Sequence, residues 1–233
     1  MSYQHSINQV KGFLFFQSLF GNRGLTYNAD NVRENDVYGQ GREEHSDTLN
    51  LDHSRPQEPD TIMFDMRSGT YLEVGQDGRK NYLNLTGFER TISSEDNGAR
   101  MNIMGTDSSN RIETGRGDDY IQGRGGHDYL NGRAGDDLLI GGSGDDWLRG
   151  GEGVDIVYGG SGRDTFVMTE GDGYDIIKDF VDGVDTLWIQ SAGDLTIHNL
   201  GSNGYVFRDD DLMAVVIGAA DDLQIGDGGI TVI

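Results

Sequence analysis

A nine-residue repeat runs without a gap from Gly105 to Val167 and constrains the fold more than any other feature of the sequence. Its seven segments are, in order, GTDSSNRIE, TGRGDDYIQ, GRGGHDYLN, GRAGDDLLI, GGSGDDWLR, GGEGVDIVY and GGSGRDTFV. The first segment is degenerate, but in the last six the fourth residue is always glycine, the sixth is always aspartate and the eighth is always apolar. Three columns in one register argue against a flexible glycine-rich linker, which has no reason to keep an apolar residue in place.

The three columns contain the residues on which the predictions below depend. The fourth-position glycines are Gly117, Gly126, Gly135, Gly144, Gly153 and Gly162. The sixth-position aspartates are Asp119, Asp128, Asp137, Asp146, Asp155 and Asp164. The eighth-position apolar residues are Ile121, Leu130, Leu139, Leu148, Val157 and Phe166, and Ile112 extends this column into the first segment.

Glycine in the first half of a segment and one apolar residue in its second half are typical of a tight turn followed by a very short strand. Two segments then close one coil, and the eighth-position side chains face a narrow interior that no single repeat buries alone. We therefore predict an all-β fold, a right-handed parallel β-roll over residues 105–167, with irregular β coils before it and a β cap after it.

The repeat also predicts a metal site. Stacked strands lie about 4.7 to 4.9 Å apart, and calcium binds oxygen at about 2.3 to 2.6 Å, so an ion between two stacked turns reaches ligands in both. Segments two apart pair Asp119 with Asp137, Asp128 with Asp146, Asp137 with Asp155, and Asp146 with Asp164. Backbone carbonyls at the glycines complete a shell of hard oxygen ligands, which favours calcium over magnesium. We predict several calcium ions, held by the six aspartates and the six fourth-position glycines.

These segments resemble the GGxGxDxUx nonapeptide of the RTX proteins, a family of secreted calcium-binding proteins. The resemblance is close from Thr114 to Val167, although Thr114, Arg124, Arg133 and Ala134 depart from the ideal repeat. The following stretch to Ile189 is similar to the segment after the repeats in RTX proteases and alginate epimerases. The resemblance implies export by a type I secretion machinery, an uncleaved C-terminal signal, an extracellular location and folding driven by calcium outside the cell.

Three regions follow from this pattern. Residues 1–104 form an N-terminal flank, in which 7–20 has the spacing of an amphipathic helix ending at Gly21 and 60–104 is predicted as irregular β coils. Residues 105–167 form the β-roll. Residues 168–233 form the β cap with the secretion signal, with two strands in 174–189 separated by an Asp-Gly turn and others at 194–199, 204–208, 212–217 and 229–233.

Composition excludes several classes of function. The formal net charge of −22, from 40 acidic and 18 basic residues, disfavours nucleic acid and anionic membranes as partners. The absence of cysteine excludes disulfides and thiolate metal sites. No cleavable signal peptide and no transmembrane stretch is expected from the sequence.

Other candidate sites give weaker signals. The segments 16–21 and 35–39 are faintly similar to the linker of serralysin-type proteases, but none of the five histidines lies in a HExxH motif, and no GxSxG motif occurs. His45 and His53 flank an acidic stretch whose spacing fits no known site, and we interpret them as loop residues. Tyr120, Tyr129 and Trp147 occupy the seventh position, where we expect outer-face packing rather than a carbohydrate-binding stripe.

Three functions remain. The first is a calcium-binding secretion and folding module with no catalysis of its own. The second is the non-catalytic C-terminal part of a secreted enzyme, a serralysin-type protease or an alginate epimerase, and the third is a secreted adhesion or polysaccharide-binding protein in which residues 1–104 recognise the ligand. The first is the one that the repeat supports directly.

Overall fold

The computed structural model describes residues 26–28, 37–38, 48–50, 59–75, 80–86, 91–93, 98–169, 173–181, 184–189, 195–219, 223–226 and 229–232. Within these ranges every regular element is a β-strand, and no helix occurs. The helix predicted for residues 7–20 lies outside the described residues.

The strands before the repeat are β1 (Thr26–Asn28), β2 (Val37–Tyr38), β3 (Thr48–Asn50), β4 (Pro59–Asp65), β5 (Thr70–Gly75), β6 (Lys80–Thr86), β7 (Thr91–Ser93) and β8 (Arg100–Met104). The repeat contains β9 (Arg111–Glu113), β10 (Tyr120–Gly125), β11 (Tyr129–Ala134), β12 (Leu138–Ser143), β13 (Trp147–Ser161) and β14 (Thr165–Met168). After it come β15 (Gly173–Ile177), β16 (Thr186–Ile189), β17 (Leu195–Leu200), β18 (Asn203–Arg208), β19 (Asp211–Val216), β20 (Leu223–Gly226) and β21 (Gly229–Val232).

Two parallel ladders make up the roll, a solenoid of about five turns, and continue into the strands on either side of it. Ladder A runs β1, β3, β7, β9, β11, the first part of β13, β14 and β16. Ladder B runs β4, β8, β10, β12, the last part of β13, β15 and β19. Within the repeat each residue pairs with the residue two segments away, as Tyr120 does with Leu138 and Tyr129 with Trp147. The predicted β-roll is therefore confirmed.

The eighth-position column forms the core between the two ladders. Ile112, Leu130, Leu148 and Phe166 face inward from ladder A, and Ile121, Leu139 and Val157 face them from ladder B; none is more than 1% exposed. Each such side chain contributes about 1.5 to 3 kcal/mol relative to an exposed one. Buried and half-buried residues alternate along β10 and β12, so one inward apolar residue in each strand is enough to fill the narrow core.

Strand pairing continues without a break into both flanks. Below the repeat, Phe64 and Ile103 lie in register with Ile121 on ladder B, while β5 and β6 leave the roll as an antiparallel meander on β4. Above it, β15 and β16 are the two strands predicted for 174–189, but they do not pair with each other; each extends a different ladder. The antiparallel strands β17, β18 and β19 then end ladder B, and β20 and β21 end ladder A. One core cluster spans all of this from Ile62 to Leu223.

Candidate metal centre

The sixth-position side chains stack along the two edges of the roll, where the chain turns from one ladder to the other. One edge, which we call the first column, carries Asn110, Asp128, Asp146, Asp164 and Asp185. The opposite edge, the second column, carries Asp119, Asp137, Asp155 and Asp175. All nine side chains are buried, with at most 9% exposure. The four aspartate pairs expected from the sequence are therefore brought together.

One carboxylate oxygen of each aspartate holds the coil below it. Oδ1 of Asp128 accepts a hydrogen bond from the backbone N–H of Asn110 at 2.7 Å, and Oδ1 of Asp146 does the same for Asp128 at 2.8 Å. The second column begins with the N–H of Met101, which donates to Oδ1 of Asp119 at 2.7 Å. These contacts are charge-assisted and tie each turn to the preceding one, 18 residues earlier.

The other carboxylate oxygen has no partner. Oδ2 is buried without a hydrogen bond in Asp119, Asp128, Asp137, Asp146, Asp155 and Asp164. Buried polar atoms are hydrogen-bonded almost without exception, so six unsatisfied atoms at equivalent positions require an explanation other than chance. A bound cation supplies one.

Five of the six unpartnered Oδ2 atoms face the glycine at the first position of their own segment, whereas the segment of Asp119 begins with Thr114. A methyl group added to Gly123 would lie under 3.0 Å from Oδ2 of Asp128 and from the carbonyl oxygen of Gly141, one coil later. Gly132 and Gly141 show the same arrangement, with Asp137 and Asp146 respectively. We call this space, bounded by the glycine, the carboxylate and the next carbonyl, a cradle. A side chain at the glycine would fill it.

The fourth-position glycines fix the path of the turn. Gly126, Gly135, Gly144, Gly153 and Gly162 have φ between 100° and 138°, in the left-handed region that other residues rarely adopt. A methyl group on Gly144 would lie under 3.0 Å from the carbonyl oxygen of Gly126, so the carbonyls of the fourth-position glycines point into the turn above. Their predicted role as backbone ligands stays a prediction.

Arg124 and Arg133 occupy the second position of their segments, where Gly142 and Gly151 lie one coil later. Both adopt left-handed φ values, 82° and 74°, like Gly142 and Gly151 one coil later. Their carbonyl oxygens come as close to Gly142 and Gly151 as the carbonyl of Gly142 comes to Gly160. The substitution of arginine for glycine therefore leaves the backbone of the turn unchanged.

Burial disfavours the charged form of the column aspartates and so raises their pKa values. Desolvation raises the pKa of Asp119, Asp128, Asp155 and Asp164 to about 6 each, although hydrogen bonds from the backbone partly oppose it. Desolvation also raises the pKa of Asp146 to about 7 and that of Asp137 to about 8, and in both the neighbouring carboxylates of the column add to the shift. A divalent cation reverses this interaction by turning mutual repulsion into shared attraction.

The donor set fits a hard cation that binds both carboxylate and backbone oxygens. Among the described residues no three acidic or histidine side chains gather into a metal cluster, so the carboxylates alone do not form a shell. At Gly123, Gly132 and Gly141 the cradle combines one carboxylate oxygen with one backbone carbonyl of the next coil, and both are hard oxygen donors of the kind that calcium binds. Magnesium, with its stricter octahedron, suits such a site less well.

Sequence reasoning missed three acidic residues above the repeat. Asp175 lies in register with Asp155, and its Oδ1 faces Gly150 beside Oδ2 of Asp155. Asp185 accepts a hydrogen bond from the N–H of Asp164 at 2.9 Å. Asp179 accepts from the N–H groups of Gly159 and Gly160, at 2.8 and 3.0 Å. The detectable signal was the step Asp, any residue, apolar residue, which recurs at Asp175 and Asp185 although the nine-residue spacing is lost.

A second hydrogen-bond ladder runs along the exposed fifth position in the opposite direction. Oδ1 of Asp136 accepts from the N–H of Val154 at 2.9 Å, and Oδ1 of Asp145 accepts from the N–H of Arg163 at 2.9 Å. In the same way Nδ1 of His127 accepts from the N–H of Asp145 at 2.8 Å. These side chains hold the turns from outside and leave the cradles open.

The aromatic residues of the seventh position pack against one another. Tyr129 and Trp147 stack with ring centroids 4.4 Å apart, and the guanidinium of Arg111 lies 3.9 Å from the centroid of Tyr129. Both faces of Tyr129 are thus covered, which supports the packing interpretation; Tyr120 lies on the other ladder. His45 and His53 lie outside the described residues.

Comparison with known proteins identifies the central segment. The family model described as the RTX calcium-binding nonapeptide repeat, in four copies, matches residues 104–139 and 132–166. No curated protein matches the chain. The faint similarity to serralysin-type proteases thus gains no support. The part of the chain that the structure describes contains no helix long and apolar enough to cross a membrane.

Proposed function

We propose that this chain is the calcium-binding β-roll module of a protein secreted by a type I system, because residues 104–166 match the family model of the RTX calcium-binding nonapeptide repeat. It is unfolded at low calcium and folds outside the cell, where calcium is abundant.

The six buried, unpartnered Oδ2 atoms carry this proposal. Bound calcium supplies two positive charges and accepts six to eight oxygens at about 2.3 to 2.6 Å. The first-position glycines keep the cradles open, and the Oδ1 atoms fix each carboxylate on the coil below. The carbonyls of the fourth-position glycines, as further ligands, belong to the proposal. In each cradle the protein therefore presents an oriented carboxylate that its own hydrogen bonds leave unsatisfied.

Calcium dependence of folding follows from the charges. Buried carboxylates stack in two columns of a chain with a net charge of −22, so the empty roll is opposed by both desolvation and repulsion. A ligand that binds only the folded chain stabilises it by about 2.7 kcal/mol for each site at a concentration of 100 Kd. Calcium concentration thereby selects where the chain folds.

Secretion rests on other grounds. Proteins with the RTX repeat are typically secreted, and the chain has no cysteine that would need oxidation. We propose residues 168–233 as the segment that contains the uncleaved export signal. Export of the chain with and without residues 168–233, in a host with a type I system, tests this part. Loss of secretion only on deletion supports it, and unchanged secretion contradicts it.

We also propose that the chain is not itself an enzyme, because no HExxH or GxSxG motif occurs in it. A catalytic domain elsewhere in a parent protein is compatible with this function. Recognition of a polysaccharide by residues 1–104 stays an alternative prediction, to be tested by a glycan array.

Calorimetric titration with calcium tests the binding function. In the double variant Asp137→Asn with Asp146→Asn, we expect fewer bound ions, because two cradles lose their carboxylate. The matched control, Asp136→Asn with Asp145→Asn, removes the same charge from exposed fifth positions and keeps both Oδ1 acceptors. Equal losses in the two double variants would contradict the assignment of the cradles.

A further inference from the structure

The outer sides of the two ladders differ, although the same nine-residue repeat builds both. Outward side chains stand at the seventh and ninth positions, on either side of the buried eighth residue. On β9, β11 and the first part of β13, three of these six positions are charged: Arg111, Glu113 and Arg149. On β10, β12 and the last part of β13 none is charged. The polarity of the outward residues therefore alternates from one segment to the next.

The uncharged side is largely apolar and continuous. Its central residues are half-buried and stack in two rows, Tyr120, Leu138 and Ile156 in one, and Gln122, Ile140 and Tyr158 in the other. Met63 and Asn102 continue the first row on one side, and Ile176 and Val215 continue it on the other. We call these two rows the outer face of ladder B. Among the described strands none packs against the outer side of β12, whose neighbours are β10 and β13 in the ladder and β11 across the core.

Almost no charge enters this face. In its two rows only Asp65 and Lys178 are charged, and they stand towards opposite ends. Asp65 is balanced within the chain, because its Oδ1 lies 3.2 Å from Nη1 of Arg124. The chain as a whole carries a formal net charge of −22. Two copies of so acidic a chain repel each other unless they meet across a nearly neutral surface, and the outer face of ladder B is such a surface.

The size of the face suits a weak but specific contact. Its seven strands, at a spacing of about 4.8 Å, give a length of about 29 Å, and three residues across give a width of about 10 Å. Two such faces packed together remove on the order of 800 to 1,000 Å² of accessible surface from water, at the low end of specific interfaces. We therefore expect an association that depends on protein concentration, with a Kd of about 1 to 100 µM.

The charges also select the relative direction of the two copies. Carboxylates such as Asp175 and Asp185 accumulate above the repeat, and antiparallel long axes keep these two acidic ends apart. In a closed dimer of this kind the two-fold axis runs parallel to β12, the central strand of the face. Leu138 then lies opposite Leu138 of the second copy, and the end that carries Lys178 lies over the end that carries Asp65.

We propose that the outer face of ladder B is the interface of a homodimer, in which two folded rolls pack antiparallel, sheet against sheet, with Leu138 at the two-fold axis. The two sheets lie about 10 Å apart, as in other stacked sheets. Both aspartate columns run along the edges of the roll, outside this contact. The inference goes beyond the proposed calcium function, since it needs the folded roll and not the ion itself.

Sedimentation velocity of the full chain in calcium, between about 1 and 100 µM, tests the proposal. We expect the mean mass to rise with concentration from that of the monomer, 25.5 kDa, towards twice this value. Circular dichroism of the same samples shows whether the roll is folded. A folded roll that stays monomeric over this range overturns the proposal and assigns the face to a different partner. A chain that folds and dimerises equally in chelator contradicts the proposed calcium function and leaves the dimer standing.

Opposite charges at Leu138 test the position of the axis. Leu138→Glu and Leu138→Lys each place like charges opposite one another, so either variant alone should stay monomeric where the wild type dimerises. An equimolar mixture should regain the dimer, because the two charges then attract each other. The matched controls, Thr165→Glu and Thr165→Lys at the seventh position of ladder A, should dimerise like the wild type. A dimer in either Leu138 variant alone, or none in the mixture, contradicts the proposal.

A crosslinking measurement decides the matter if a charge at Leu138 prevents folding. The chain has no cysteine, so Leu138→Cys introduces a single thiol. In calcium, a bismaleimide that spans the sheet separation of about 10 Å should link two copies of this variant. The control Thr165→Cys should stay unlinked, because ladder A faces away from the contact. Equal linkage of the two variants, or none in either, overturns the proposal.

Discussion

Replacing Asp146 by asparagine separates the two roles of a column aspartate. Asparagine keeps Oδ1, which accepts the N–H of Asp128 at 2.8 Å, and places Nδ2 where the unpartnered Oδ2 was. In chelator we expect stabilisation, because burial and the neighbouring carboxylates raise the pKa of Asp146 to about 7. Against an ordinary value of 3.8 this corresponds to on the order of 4 kcal/mol at neutral pH, since each unit is about 1.4 kcal/mol.

Calcium should reverse part of this gain. The variant has lost one carboxylate ligand, so the increase in unfolding free energy on adding calcium should be smaller than in the wild type, by about 2.7 kcal/mol at 100 Kd. Calcium titrations followed by circular dichroism, started in chelator and converted to the fraction of folded chain, measure both quantities. The control Asp145→Asn should change either by less than about 0.5 kcal/mol. A variant that is no more stable than wild type in chelator, or that gains as much from calcium, would refute the reasoning.

Three further outcomes are expected. In chelator the roll should be most stable near pH 4 and lose stability as pH rises through 6 to 8. The reason is that the folded pKa values of Asp128, about 6, and Asp137, about 8, lie above the ordinary 3.8. Calcium affinity should rise over the same range, and denaturation curves at several pH values check both trends. Gly141→Ala should weaken calcium binding in calorimetry because its methyl group would fill the cradle of Asp146, whereas Gly98→Ala, with nothing within 4 Å, should not. Leu139→Ala should cost about 2 to 5 kcal/mol of unfolding free energy in calcium, since Leu139 is a fully buried core residue; urea denaturation in calcium measures this, and a loss below about 1 kcal/mol would contradict it.

Much of the roll was predictable because its period is strict. Fixed spacing places Asp128 over Asn110 and Leu139 over Ile121, so stacking, the buried apolar column and the aspartate pairs follow from the sequence alone. The periodic signal is informative where every coil repeats the same contacts with its neighbours.

What the period does not encode was missed. Asp175 and Asp185 stand 20 and 21 residues after their partners, because extra residues enter the coil there and break the register. The antiparallel meander of β5 and β6 depends on pairing that a parallel repeat does not indicate. The sequence also does not indicate that Arg124 adopts a positive φ, because residues other than glycine rarely adopt the left-handed conformation.

The most direct test of the account is far-UV circular dichroism of the full chain titrated with calcium, with magnesium as the control. We expect a cooperative gain of β signal with calcium and none with magnesium, because the cradles combine carboxylate and carbonyl oxygens in a shell suited to the larger ion. A spectrum that stays unchanged at millimolar calcium, or a roll already complete in chelator, would contradict the claim that calcium completes this fold.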